Sequence, residues 1–135
     1  MYTTHDRVRE QRAAAGVDPE SLHRRLIEFY NAHFSAGDLT GIEELLTSDL
    51  VWSMNDEVQT TGRDAFVERM TNDLQYGLGH MHIDTFVTED DMTVSLGTLK
   101  MTPRDGGPQS TAAVAEAFTF REDRIARIRT FGHMG

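Results

Sequence analysis

The chain has 135 residues and a formal net charge of -9, which is the size of one domain and enough to bury a core without metal or disulfide support. It has no cysteine, so disulfides and cysteine-ligated metal sites are excluded. The acidic balance disfavours nucleic-acid binding, and no apolar run approaches the length of a membrane span. The N-terminus lacks the basic start and apolar centre of a signal peptide, so we expect a cytoplasmic protein.

The chain divides into an N-terminal arm or helix, residues 1–17, and a single domain, residues 18–135. The arm has helix-forming composition but a thin apolar face, which favours a peripheral helix or frayed arm. The alternative is a lid over a pocket or an arm that reaches a partner subunit. Asp18 and Pro19 then start a long helix, and Gly37 ends it. Arg24, Arg25, Glu28 and Asn31 lie off its predicted apolar face, which consists of Leu22, Leu26, Phe29, Tyr30, His33 and Phe34.

Shorter elements follow the long helix. Asp38 is expected to cap a short second helix that carries Ile42, Leu45 and Leu46. Apolar and polar residues alternate over 50–54, which predicts a strand, and a turn leads to a short return strand at 58–60. A third helix opens at 61–64, and its predicted buried face is Phe66, Met70 and Leu74.

The C-terminal half is predicted to form an antiparallel meander. Its strands cover residues 80–88, 92–101, 111–120 and 124–131, separated by acidic or glycine-rich turns. Helices followed by consecutive strands indicate an α+β protein. We therefore expect a cone-shaped, curved antiparallel sheet wrapped on three helices, with a concave pocket between the sheet and the long helix.

Four segments carry a resemblance to a known family. Residues 34–39, 45–52, 61–66 and 118–125 resemble a SnoaL-like protein of the nuclear-transport-factor-2-like superfamily, and the likeness runs from about Leu22 to the C-terminus. These segments are mostly caps, turns and core, so they are more specific for the cone-shaped fold than for an activity. The superfamily includes ketosteroid isomerases, polyketide cyclases, dehydratases, epoxide hydrolases and inert binding domains.

The resemblance also implies site residues. Tyr30 falls where ketosteroid isomerases have a tyrosine on the first long helix, and Glu116 falls where they have a protonated aspartic acid. Met54 occupies the place of their general base, which disfavours a steroid isomerase of the usual kind. The arginine and two aspartates of the epoxide hydrolases have no convincing match. The dehydratases, which use a tyrosine, a strand histidine and an acid, are the better match, and Tyr30, His80 or His82, and Glu116 supply that set.

The chemistry of Tyr30 on the helix and of Glu116 on the strand is compatible with a structural or a catalytic role. A buried tyrosine hydroxyl needs a hydrogen-bond partner, so Tyr30 is a core residue tied to the backbone or a donor to a substrate oxygen. Glu116 lies in a small, apolar strand, where burial would raise its pKa and suit it to proton transfer or hydrogen-bond donation. The alternative for Glu116 is a place at a sheet edge or an ion pair with Arg127 or Arg129.

His80 and His82 are two residues apart on one strand and share a face. Histidine suits general acid–base catalysis near neutral pH, and a solvated or core histidine is the alternative. Asp84 would be a third ligand on that face, but three residues along one flat strand converge poorly on a metal ion. We therefore expect neither a metal nor another cofactor.

These observations predict a cofactor-free enzyme that transfers protons on a small, apolar, carbonyl-bearing molecule by dehydration, isomerisation or aldol-type cyclisation. The alternative is a non-catalytic ligand-binding or accessory protein of the same fold. The superfamily commonly forms homodimers through the outer face of the sheet, and the strand at 93–99 is small or apolar on both faces. The predicted catalytic residues are Tyr30, His82 and Glu116. The predicted substrate-binding residues are Phe34, Trp52, Met54, Phe66, Met70, His80, Leu96 and Phe118.

Overall fold

The computed structural model describes residues 19–133, so the predicted N-terminal arm lies outside the described residues. Three helices and six strands make up this part of the chain. In chain order they are α1 (Pro19–Ala36), α2 (Leu39–Glu43), β1 (Leu46–Met54), β2 (Glu57–Thr61), α3 (Arg63–Leu74), β3 (Gly77–Glu89), β4 (Met92–Pro103), β5 (Ser110–Arg121) and β6 (Arg124–Gly132).

The six strands form one sheet in the order β2-β1-β6-β5-β4-β3. The last four strands form the predicted antiparallel meander. The sheet is mixed rather than wholly antiparallel, because β1 lies parallel to β6. The two strands are distant in sequence, so no tight turn forces them to run in opposite directions. The result is the predicted α+β architecture.

Helix α1 ends as its sequence predicts. Gly37 has a φ of 70°, a conformation that costs glycine little. The Gly37 amide donates to the Phe34 carbonyl and the Asp38 amide to the His33 carbonyl, at 3.1 and 2.8 Å. This pair of bonds is a Schellman motif. Asp38 then caps α2 through the Gly41 amide, so the chain turns sharply and α2 packs against α1.

The core lies between α1 and the inner face of the sheet. One buried cluster joins residues from α1, α2, β1, α3, β5 and β6. Leu45 and Leu46 were predicted to lie on α2, but that helix ends at Glu43. Leu45 lies in the turn that follows and Leu46 begins β1, and both are fully buried. The apolar side chains that are completely buried are Leu26, Ile27, Ile42, Leu45, Leu46, Leu50, Phe66, Phe118, Ile125 and Ile128.

Strand β3 contains an irregularity that changes which side chains face inward. Its pairing with β4 shifts register between Ile83 and Thr85. Met81 lines the internal cavity, and Ile83 and Phe86 pack against the core. Strict alternation would not place Ile83 and Phe86 on one face. The extra residue of this β-bulge resets the alternation after Ile83. His82 lies before the bulge, between Met81 and Ile83, so ordinary alternation places its side chain on the outer face.

Candidate active site

A cavity of about 200 Å³ lies between α1 and the inner face of the sheet, where the sequence predicts a pocket. Helices α1, α2 and α3 supply one side, and all strands except β2 supply the other. Its lining residues are Tyr30, Asn31, Phe34, Leu39, Trp52, Met54, Met70, Asp73, Leu74, Gly77, Gly79, Met81, Leu99, Met101, Val114, Glu116 and Thr130. Most of these side chains are apolar, which is usual for a small-molecule site.

Glu116 is held in the cavity by a chain of hydrogen bonds across three strands. The Trp52 indole N–H donates to Thr130 Oγ1 at 3.0 Å, and Thr130 Oγ1 donates to Glu116 Oε2 at 2.8 Å. The direction is fixed, because an indole nitrogen is only a donor. The Thr130 hydroxyl hydrogen is thus available to the carboxylate. Oε2 is an acceptor in this network, and a proton on Glu116 belongs on Oε1.

The surroundings of Glu116 favour its neutral form. Burial raises the pKa of Glu116, and the hydrogen bond from Thr130 lowers it by less. A carboxyl whose pKa is shifted upward is better able to exchange a proton near neutral pH. The predicted alternative, an ion pair with Arg127 or Arg129, is wrong. Arg129 donates to Asp56 at 2.8 Å instead, and Arg127 is exposed.

Tyr30 is a buried donor that faces the same cavity. Its ring is 4% exposed and packs edge-on against Phe118, with centroids 5.6 Å apart. Burial, and secondly the charge of Glu116, raise the pKa of Tyr30 well above its ordinary value. The hydroxyl therefore stays protonated and able to donate. Among residues 19–133 it makes no side-chain hydrogen bond, so the predicted alternative of a core tyrosine satisfied by the protein finds no partner there.

His82 is separated from Tyr30 and Glu116. Its side chain is 75% exposed and its Nε2 lies 3.3 Å from Asp84 Oδ1, with neither residue at the cavity. His80 is also exposed and is hydrogen-bonded to Ser35 Oγ at 3.1 Å. The predicted grouping of a strand histidine with Tyr30 and Glu116 therefore needs correction. The two histidines do share a face, as predicted, but that face is turned away from the cavity.

The predicted substrate-binding residues divide into three groups. Phe34, Trp52, Met54 and Met70 line the cavity. Phe66 and Phe118 are completely buried in the core and do not line it. Leu96 is 41% exposed, and His80 is also exposed. Both side chains point to the outer face of the sheet.

Two functional candidates were missed by sequence reasoning. Asn31 was placed off the apolar face of α1, but it is only 7% exposed and lines the cavity. Thr130 is hydrogen-bonded to Glu116, but a threonine in a strand is common and does not by itself indicate a functional role. Thr130 lies directly opposite Glu116, but the register of β5 and β6 shifts by one residue between Thr119 and Phe120. Counting back from the turn between these strands would have placed Arg129 opposite Glu116, so no signal in the sequence indicated Thr130.

Two further findings concern the described part of the chain. Within residues 19–133 no three His, Asp or Glu side chains cluster in a way that would hold a metal ion. No helix in the same range is long and apolar enough to cross a membrane.

Comparison with known proteins identifies the family. A family model of the SnoaL-like domain matches residues 26–128, which is most of the chain. The chain belongs to the SnoaL-like family. A search of curated proteins finds no match. The resemblance predicted from the four sequence segments is thus confirmed.

Solved structures share the fold of this SnoaL-like chain. An NTF2-like protein of unknown function from Burkholderia pseudomallei is 18% identical with a TM-score of 0.71, covering 84% of this chain and 91% of its own. A candidate polyketide cyclase from Xanthomonas campestris pv. campestris is 15% identical with a TM-score of 0.75, covering 84% and 92%. An LEH-like epoxide hydrolase from M. tuberculosis is 15% identical with a TM-score of 0.74, covering 81% and 80%.

Proposed function

We propose that this SnoaL-like protein is a cofactor-free enzyme that moves a proton on a small, uncharged, carbonyl-bearing molecule. The observation that carries the proposal is the position of Glu116. One oxygen of this carboxyl is fixed by Thr130, and the group lines an apolar cavity that is also lined by Tyr30, whose hydroxyl has no hydrogen-bond partner within residues 19–133. His82 has no part in it, because its side chain lies outside the cavity.

The chemistry follows from the two side chains. The Glu116 carboxylate removes a proton from the carbon next to the substrate carbonyl, and the C–H electron pair forms the carbon–carbon double bond of an enolate. Tyr30 donates a hydrogen bond to the enolate oxygen, where negative charge develops. In a substrate whose carbon–carbon double bond is conjugated with the enolate, protonated Glu116 returns the proton to the far carbon of that system, which is isomerisation. In a β-hydroxy ketone it protonates the leaving hydroxyl, which departs as water while the enolate electrons form the new carbon–carbon double bond and the carbonyl re-forms. An enolate that attacks a second carbonyl of the same molecule gives the aldol-type cyclisation, and protonated Glu116 then protonates the resulting alkoxide.

The lining of the cavity supports an uncharged substrate. The charged residues among its described lining are Asp73 and Glu116, and both are acidic. No lysine or arginine lines it to neutralise an anionic substrate. At about 200 Å³ the cavity is smaller than the roughly 300–1,000 Å³ of typical ligand sites, so a compact substrate of about one ring fits best.

Exchange of carbon-bound hydrogen tests the proposal without knowledge of the product. Acetophenone in D₂O exchanges its methyl hydrogens through the enolate, and proton NMR follows the loss of signal. We expect the protein to accelerate this exchange. Glu116→Gln keeps the size of the side chain and should reduce the acceleration by about a hundredfold or more. Tyr30→Phe removes one hydroxyl and should reduce it by about ten- to a hundredfold.

Controls separate chemistry from packing. Glu57→Gln makes the same substitution as Glu116→Gln at an exposed position of β2 outside the cavity lining, and it should leave the exchange rate within about twofold. If Glu116 and Tyr30 act on the same step, the double variant should lose less than the product of the two single losses. Binding of acetophenone without accelerated exchange, or unchanged exchange in both single variants, would favour the alternative of a non-catalytic ligand-binding protein.

We also propose that two copies pair through the outer face of the sheet. The support is apolar surface on β4, where Leu96 is 41% exposed and Val94 is half-buried. Sedimentation velocity at micromolar concentration should give a dimer, and Leu96→Lys should shift it to monomer by placing a charge in the interface. A wild-type protein that sediments only as a monomer would exclude this pairing.

A further inference from the structure

Asn31 lines the cavity, and neither the described residues nor the proposed proton transfer gives its amide nitrogen a partner. Asn31 is 7% exposed, and its Nδ2 is buried without a hydrogen-bond partner among residues 19–133. An unpaired buried donor costs about 1–3 kcal/mol. Such a group is expected to find a partner in some state of the protein.

The position of Asn31 indicates what that partner is. Asn31 lines the cavity directly after Tyr30 on α1. Glu116 Oε2 already accepts from Thr130 Oγ1, and none of the described acceptors, including the carboxylates of Glu116 and Asp73 in the lining, is hydrogen-bonded to Asn31 Nδ2. Most of the remaining lining is apolar and has no acceptor to offer. An occupant of the cavity is therefore the natural source of an oxygen atom for the Asn31 amide.

We infer that Asn31 Nδ2 donates a hydrogen bond to an oxygen of the substrate and so selects an uncharged molecule with a carbonyl over an apolar one of the same shape. This inference deepens the proposed function and rests on the same cavity. Asn31 is a specificity residue in this role, and the proton transfer stays with Glu116. A neutral amide donor suits a neutral acceptor, because it supplies no charge to hold an anion.

The alternative role for Asn31 is structural. In that case its amide would satisfy protein atoms, and its loss would lower stability without changing which ligands bind. The two roles predict opposite effects of Asn31→Leu, which has almost the same shape and no polar atoms. Removing an unpaired buried donor should hold or raise the melting temperature, whereas removing a satisfied one should lower it.

Two probes of matched shape measure the selectivity. Acetophenone and α-methylstyrene differ by replacement of the carbonyl oxygen with a methylene group, and ligand-observed NMR titration gives both dissociation constants. We expect the wild-type protein to prefer acetophenone. In Asn31→Leu that preference should fall about three- to tenfold, the size of one net hydrogen bond, through weaker ketone binding and unchanged binding of the hydrocarbon. Asn72→Leu makes the same substitution at an exposed position of α3 outside the cavity lining, so it is the matched control and should keep the wild-type preference.

The outcomes decide the inference separately from the proposed function. A preference unchanged in Asn31→Leu, or a wild-type protein that binds neither probe or both equally, would overturn the role of Asn31. A lower melting temperature with an unchanged preference would identify the structural role. Lost preference in Asn31→Leu, together with no catalysed hydrogen exchange in the wild-type protein, would retain Asn31 as a ligand-binding residue and reject the enzyme.

Discussion

Strands β5 and β3 each carry a predicted catalytic residue, yet the structure brings only one of them into the cavity. Strand β5 pairs with β4 in unbroken register over ten residue pairs, from Met92↔Thr119 to Met101↔Ser110. Glu116 consequently shares the inner face with buried Phe118. In β3, Met81 and Ile83 face inward and His82 between them faces outward, whereas the register shift after Ile83 brings Phe86 inward as well. Counting by alternation from Phe86 across the bulge would wrongly place His82 inward. Alternation thus locates a side chain only where the strand is regular between that residue and a known core position.

The largest effect on stability should come from breaking the contact between β4 and the bulged part of β3. Gly97 lies opposite Ile83, and a Cβ at Gly97 would lie 2.0 Å from the His82 carbonyl oxygen. Glycine in a strand often marks such a close backbone approach. Gly97→Ala should lower the free energy of unfolding by about 1–3 kcal/mol or more, as overpacking does, measured by urea denaturation.

The control for this variant is Thr98→Ala, an exposed neighbour on the same strand, which should change stability by less than about 0.5 kcal/mol. Equal stability of Gly97→Ala and the wild-type protein would mean that β3 yields readily. The bulge would then not be a fixed feature of the pairing between β3 and β4.

Thr130→Val tests how Glu116 is held on β5, the strand with unbroken register to β4. This change removes the hydroxyl that donates to Glu116 Oε2 and accepts from the Trp52 indole. It leaves both partners buried and unpaired, so we expect a loss of about 1–3 kcal/mol in the free energy of unfolding. Loss of the Thr130 bond, which lowers the pKa of Glu116, should also raise that pKa further. Thr130→Ser keeps the hydroxyl and should restore most of the stability.

The pH dependence of stability gives a smaller effect with a definite sign. Burial raises the pKa of Glu116 above its ordinary value of 4.5, so folding favours the protonated form. Stability from this group is fully present below about pH 4.5, and it is lost as the pH rises through the folded-state pKa. Glu116→Gln does not titrate, so it should gain stability over the wild-type protein as the pH rises from 4 to 8.

Melting temperatures across that range measure the difference, and Glu57→Gln, an exposed position in β2, is the control. A gap between Glu116→Gln and the wild-type protein that stays constant from pH 4 to 8 would show that Glu116 is not desolvated in the folded state. A gap that widens toward low pH would reverse the sign of its pKa shift.

Most of the fold was predictable, because it depends on local signals that act on adjacent residues. The glycine that ends α1, the aspartate that caps α2 and the turns of the meander each act within a few positions. The parallel pairing of β1 with β6 was missed, because it joins strands on either side of a long intervening segment. The order of elements in the sequence does not determine that pairing.

The site was predictable to the extent that its residues stand out from their neighbours. Glu116 is a carboxyl in an apolar strand, and Tyr30 lies on an apolar helix face, so composition alone singles them out. Asn31 borders that face by helical spacing. It is buried because this side of α1 also faces the cavity. The bulge in β3 has no local sequence signature, because the residue that accommodates it, Gly97, lies on another strand.

Substitution of His82 should have the smallest effect of all. It tests most directly the difference between β3 and β5. Its side chain is 75% exposed, and within residues 19–133 its ion-pair partner is Asp84. An exposed pair of this kind contributes about 0–1 kcal/mol. His82→Gln should therefore leave the melting temperature within about 2 °C, from the usual relation between small free-energy changes and melting temperature. It should leave catalysed exchange of acetophenone hydrogens within about twofold, against the hundredfold or greater loss in Glu116→Gln. A large loss of exchange in His82→Gln with unchanged stability would mean that β3 turns this side chain inward when ligand binds, and Glu116 would then share the proton transfer with a histidine after all.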